Sequence, residues 1–171
     1  MMGRTWIPVL ALLAIGGAAD AAELPKSGKV DFRFYAHNVQ TIAELDAADG
    51  MKTYVNEAYE FHAGKEKGSL MDNTDGRCLG YGSYHPEKGA VHEVGSCTYF
   101  DADGDKIFEN YEVSLKDSSD RTPGTVHITG GTGKYQGITG TLAVTVEVLQ
   151  PLGPGHTMWT GDATGEYKIG Q

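Results

Sequence analysis

The residues best suited to chemistry lie between positions 78 and 115. Glu109 and Tyr111 stand two apart in the run Lys106–Lys116, which is rich in Ile, Phe, Tyr and Val. Alternate residues of a strand share a face, so a carboxylic acid and a phenol would point the same way. In an apolar setting such a pair could act as acid and base. Cys78 and Cys97 are the two cysteines of the chain. Neither belongs to a CxxC pair, and no HxxxH spacing accompanies them, so no metal site is expected. Asp101, Asp103, Asp105 and Glu112 fall at positions 1, 3, 5 and 12 of a calcium-loop window. The glycine stands at position 4 instead of 6 and no helices flank it, so a soluble hairpin tip is the reading taken. Gly130-Gly131-Thr132-Gly133-Lys134 approaches a phosphate loop, but Tyr135 replaces the Ser or Thr and a strand follows. No Gly-x-Ser-x-Gly elbow is present, and Ser83 near His92 reads as a cross-strand pair. No cofactor is implied.

These residues must be positioned by strands. Runs rich in Val, Ile, Thr, Tyr and Phe recur at Val30–Asn38, Lys52–Ala63, Gly76–His85, Val91–Asp101, Lys106–Lys116, Gly124–Gly130, Gly140–Leu149 and His156–Ile169. Gly, Asp, Asn and Pro punctuate them, which is the spacing of an antiparallel sandwich or barrel. Thr41–Asp49 alone reads as briefly helical.

Two hairpins can be registered. The four-residue turn Pro86–Gly89 pairs Tyr84 with Val91, Gly82 with Glu93, Gly80 with Gly95 and Cys78 with Cys97. Facing residues of an antiparallel ladder lie within disulfide range, so a Cys78–Cys97 bridge is expected. Asp103-Gly104 is a type I′ turn signal. It would pair Phe100 with Ile107, Thr98 with Glu109 and Ser96 with Tyr111. The inward face would then carry Leu79, Tyr81, His92, Val94, Phe100, Ile107, Glu109, Tyr111 and Val113. Glycines 80, 82 and 95 would lie outside. Tyr81, His92, Phe100, Glu109 and Tyr111 are therefore the candidate ligand contacts, because buried polar groups among them need a partner.

The N-terminus has the layout of an export signal. Arg4 precedes the uncharged run Trp6–Ile15, and Ala19-Asp20-Ala21 offers a cleavage site. Residues 1–21 are read as a signal peptide and 22–171 as one domain. The apolar run is shorter than the roughly 20 residues that span a bilayer, so a soluble secreted or periplasmic protein is expected. Export supplies the oxidising compartment a disulfide needs. The net charge of −9 argues against nucleic acid and anionic membranes as partners.

The segment Gly130–Gly140, followed by the strand Thr141–Leu149, resembles the signature of the allene oxide cyclase and dirigent superfamily. The hairpin Cys97–Phe108 and the closing Trp159–Tyr167 resemble small exported bacterial members. The resemblance implies an all-β fold, an eight-stranded antiparallel β-barrel with an apolar lumen, often assembled as a homotrimer. The reading that follows is an exported barrel holding a small, largely apolar molecule. A second reading is a cyclase or isomerase that steers such a molecule, with Glu109 or Tyr111 as acid or base. A third is a structural module whose glycine-rich outer face packs into a trimer.

Overall fold

A computed structural model describes residues 24–117, 119–153 and 156–170. The export signal expected over residues 1–21 lies outside them. Eight strands run in chain order: β1 (Ser27–Asp46), β2 (Lys52–Gly64), β3 (Asp75–His85), β4 (Ala90–Phe100), β5 (Lys106–Leu115), β6 (Gly124–Gly131), β7 (Ile138–Gly153) and β8 (His156–Ile169). Each pairs antiparallel with the next, and β8 returns to β1 from Ser27↔Lys168 to Ala36↔Trp159, closing the barrel. Closure leaves no free sheet edge. No described helix is long and apolar enough to cross a membrane.

The expected helix at Thr41–Asp49 is not formed. β1 continues to Asp46, with register shifts at His37/Gln40 and Thr41/Ala43, and pairs Glu44 with Tyr54 and Asp46 with Lys52. Nine residues are too few for a helix to stand without a buried stripe. Here Ile42 and Leu45 stay exposed, so no such stripe exists. The β2 ladder wins, and a single 3₁₀ turn at Ala48–Gly50 reverses the chain with Asp49 and Gly50 at positive φ.

The first hairpin has the expected register, Cys78↔Cys97 included. The two sulfurs are bonded, with Cα atoms 4.1 Å apart and both residues buried. Opening the bridge in Cys78→Ala/Cys97→Ala is expected to lower stability by about 3 kcal/mol, through the freed loop in the unfolded chain. A urea titration should show a lower midpoint together with a steeper slope, because the freed denatured chain exposes more surface.

The second hairpin is one residue out of the expected register. Phe100 pairs with Lys106, so the loop is the five residues Asp101–Asp105 in place of a two-residue turn. Gly104 takes φ 84°, and the Asp101 carboxylate accepts hydrogen bonds from the backbone N–H of Asp103 and Asp105 at 2.9 and 3.0 Å. A slip of one residue turns every side chain to the other face. Tyr111 therefore faces Gly95, and Glu109 faces Cys97. β5 presents Ile107, Glu109, Tyr111 and Val113 inward as expected, but β3 and β4 are inverted. Leu79, Tyr81, His92, Val94 and Phe100 are exposed on the outside, while Cys78, Gly80, Gly82, Glu93, Cys97 and Tyr99 are buried.

The Asp-rich tip is tied to the glycine-rich corner. Lys134 Nζ lies 2.6 Å from Asp101 Oδ2 and 2.5 Å from Asp103 Oδ2, and the Lys134 N–H donates to Asp105 Oδ2. Tyr135 donates its hydroxyl to Asp101 at 2.9 Å. Burial works against the Asp101 charge, yet Lys134 and Tyr135 hold its pKa below the ordinary value. The position a cation would take among these acids belongs to an ammonium. Because Lys134 is partly exposed, Lys134→Met is expected to cost only about 1 kcal/mol, and less at high salt. Thermal melts at two ionic strengths measure both.

Leu70 and Met71, in the connection from β2 to β3, are almost fully buried. They belong to the same core cluster as Phe32, Tyr99 and Ile107, and they close that end of the barrel.

Candidate ligand-binding lumen

The inward side chains leave a cavity of about 50 Å³. A buried water needs roughly 10–15 Å³ on this measure and a benzene ring about 150 Å³, so the closed part has room for a few waters or a small polar head, and a larger body would extend into the open side of the cavity. The lining has two unlike walls. Phe32 and Phe34 of β1, Val126 of β6, Val144 and Val146 of β7, and Trp159 and Ala163 of β8 form an apolar wall. Glu60 and His62 of β2, Glu93 and Tyr99 of β4, and Glu109 and Tyr111 of β5 form a polar one.

On the polar wall, two of the three carboxyl groups are hydrogen-bonded. Glu93 is 1% exposed and accepts from Tyr54 Oη, from Asn56 Nδ2 at 3.0 Å and from Tyr111 Oη at 2.5 Å. Burial pushes its pKa up, although the three donors act in the opposite direction. Burial, and then the adjoining Glu93 charge, raise both tyrosines, which stay protonated donors. Glu60 accepts from Tyr99 Oη at 2.8 Å. His62 sets Nδ1 at 3.0 Å from Thr74 Oγ1 and Nε2 at 3.5 Å from Glu60.

Glycine makes room for this network. A Cβ on Gly80 would lie 2.3 Å from Asn56 Oδ1 and 2.6 Å from both Glu93 Oε1 and Tyr111 Oη. A Cβ on Gly95 would lie 2.4 Å from the Tyr111 ring. The glycines of β3 and β4 therefore form the floor against which Tyr111 and Glu93 lie, and they are not an outer packing face.

Glu109 is different. It is 4% exposed, and no described protein group reaches its Oε1. Burial, with the Glu60 charge second, pushes its pKa up to about 8. At neutral pH it is a protonated acid inside a mostly apolar chamber, able to donate one hydrogen bond and accept others.

Of the five candidate contacts, Glu109 and Tyr111 line this cavity, whereas Tyr81, His92 and Phe100 stand on the outer surface. His92 instead meets Glu112 at 3.1 Å outside the barrel. Glu60, His62, Glu93, Tyr99 and Trp159 were not among the candidates. The cysteine pair held a signal for some of them. If a bridge is buried, its strand parity also puts Glu93 and Tyr99 inside. Glu60 lies near Cys78 and Cys97, a grouping that could suggest a metal site. The bonded sulfurs offer no thiolate, which removes that donor set.

The closed eight-strand meander has a solved counterpart. The structure of the pterocarpan synthase dirigent protein GePTS1 superposes with a TM-score of 0.51 at 14% identity, over 86% of this chain and 89% of that one. The fold is that of a dirigent barrel. A second pterocarpan synthase dirigent protein, PsPTS1, aligns with a TM-score of 0.47 at 14% identity, over 86% of this chain and 99% of that one. No protein-family pattern matches the chain, and no curated protein matches it in sequence. In this dirigent-type barrel the glycine-rich segment Gly130–Gly140 forms the corner from β6 into β7. A 3₁₀ turn at Gly133–Tyr135 and positive φ at Gly133 and Gly137 make that corner.

Proposed function

We propose that this barrel holds a small, largely apolar molecule in its lumen, anchored by Glu109. One observation carries the reading: a buried carboxyl oxygen, without a partner among the described residues, in a cavity whose other wall is built of aromatic and branched side chains. A buried polar group left unpaired costs about 1–3 kcal/mol, a deficit that a ligand would remove. Trp159 and Trp6 are the two tryptophans of the chain. In Trp6→Phe protein, Trp159 becomes a single reporter on the cavity wall. Titration with lipids, oxylipins and phenolics should give a saturable change in its emission and a higher Tm for at least one class. A flat response across all three, with no change in Tm, would contradict lumen binding.

The same group favours a second reading, catalysis of cyclisation or isomerisation. Glu109 is a neutral acid beside another carboxyl group, an arrangement that separates acid from base roles. Positioning would supply most of the acceleration, with Glu109 giving or taking the proton. Turnover of an unsaturated epoxide should fall at least a hundredfold in Glu109→Gln, and full retention would exclude that role.

The proposal includes export and self-association. A disulfide is at home in an oxidising compartment. N-terminal sequencing of the protein recovered outside the cytoplasm should begin at Ala22. Tyr35, Tyr59, Phe61, Leu79, Tyr81 and Val94 expose apolar surface on the outer faces of β1–β4, where copies would meet in a trimer. Sedimentation equilibrium measures the assembly.

A further inference from the structure

We infer that the lumen ligand is an organic cation, a small molecule with an apolar body and an amine that Glu109 and Glu60 receive. This rests on the lumen-binding reading and narrows it.

The charge of the lining decides the sign. Three of the lining residues are glutamates, and none is Lys or Arg. Glu93 is fully engaged by Tyr54, Asn56 and Tyr111. Glu60 has one phenol donor, Tyr99, and Glu109 leaves an oxygen unmet. An anionic ligand would meet this field with no counter-charge in a cavity that screens poorly. A neutral alcohol could satisfy Glu109 Oε1 but would bring no positive charge to Glu60 and would leave Glu109 protonated. An ammonium meets both needs, because it brings three donors and a positive charge. The opposite wall suits the rest of such a molecule. Phe32, Phe34 and Trp159 present ring faces or edges, and aromatic surroundings favour desolvated cations.

Binding then has a protonic signature. The groups facing Glu109 are Glu60 and His62 from β2, Glu93 and Tyr99 from β4, and Tyr111 from its own strand. The neighbouring β6 residue is Ile128, which does not titrate. Glu109 keeps its proton to about pH 8 in the ligand-free barrel. An incoming ammonium favours the carboxylate, so one proton leaves for each cation bound near neutral pH. Affinity for an amine therefore rises about tenfold per pH unit between pH 6 and 7.

The test uses three molecules of one shape: benzylamine, benzyl alcohol and benzoate, each titrated by calorimetry into the full chain. The expected result is benzylamine at least tenfold tighter than benzyl alcohol, benzoate weakest, and one proton released per amine when two buffers of different ionisation heat are compared. In Glu109→Gln, and in Glu60→Gln as a second variant with Tm recorded, the preference for the amine should shrink to within about twofold. Benzyl alcohol binding as tightly as the amine, or a preference untouched in both folded variants, would overturn the cation while leaving lumen binding in place. Silence from all three would overturn the cation as well. The lipid, oxylipin and phenolic titrations would then decide lumen binding separately.

Discussion

Glu109→Gln should make this protein about 3 kcal/mol more stable at pH 7, and no more stable at pH 4. In the folded barrel, burial and the charge of Glu60 keep the Glu109 proton on up to about pH 8. In the unfolded chain the same group loses it near its ordinary value of about 4.3. Below that value both states are protonated and folding carries no penalty from this group. As pH rises from there to 8, the unfolded state binds fewer protons, so stability falls by about 1.4 kcal/mol per unit. By pH 7 the loss is about 4 kcal/mol, of which the amide's own unmet donors return roughly 1. Above pH 8 the penalty is constant. Glu93, also raised by burial, adds a fall of the same sign that survives in the variant. Urea titrations of both proteins from pH 4 to 9 measure the difference. Parallel curves would mean that Glu109 is ionised and paired in the folded state.

Gly161→Ala should act in the opposite direction, costing about 4 kcal/mol, at the upper end of what overpacking does. Gly161 lies on β8 between Phe34 of β1 and Val146 of β7. A Cβ there would sit 1.8 Å from the backbone oxygen of Thr145 and 2.5 Å from the Phe34 ring. The ring can turn, but the backbone oxygen belongs to the ladder that closes the barrel. Gly130→Ala is the matched control. Its Cβ would meet only Phe108 Cδ2, at 3.8 Å, and its φ is not in the left-handed range, so a change under about 1 kcal/mol is expected. Equal losses in the two variants would contradict contact at Gly161 as the cause, since the lower chain entropy of alanine acts in the opposite direction.

The sequence made some of this legible for reasons that are local. Strand positions follow from β-prone runs between turn residues, and all eight strands overlap their expected spans. The Pro86–Gly89 turn pinned its own register, and with it the disulfide. Lumen positions of Glu109 and Tyr111 were legible because β5 carries Ile107 and Val113 on the same parity.

The inversion of β3 and β4 has two causes. Asp103-Gly104 read as a two-residue turn, but Asp101 folds its carboxylate over the N–H groups that follow and widens the loop to five. Hydropathy alone favours Leu79, Tyr81, Val94 and Phe100 as the interior set. In a narrow barrel the interior is limited by volume, so Gly80, Gly82, Gly95 and the cystine go inside to accommodate Tyr54, Tyr99 and Tyr111. The polar wall was hidden for another reason. Glu60 meets Tyr99, and Glu93 meets Tyr54, across 39 residues each, contacts that no local pattern encodes.

Occupation of the lumen by a small molecule is the central proposal. A crystal structure of the protein purified from its natural source tests that most directly. The account predicts density for a small organic molecule against Phe34 and Trp159, with a donor atom about 2.7–3.1 Å from Glu109 Oε1. A lumen filled by its own side chains, or one in which ordered water alone satisfies Glu109, would contradict it.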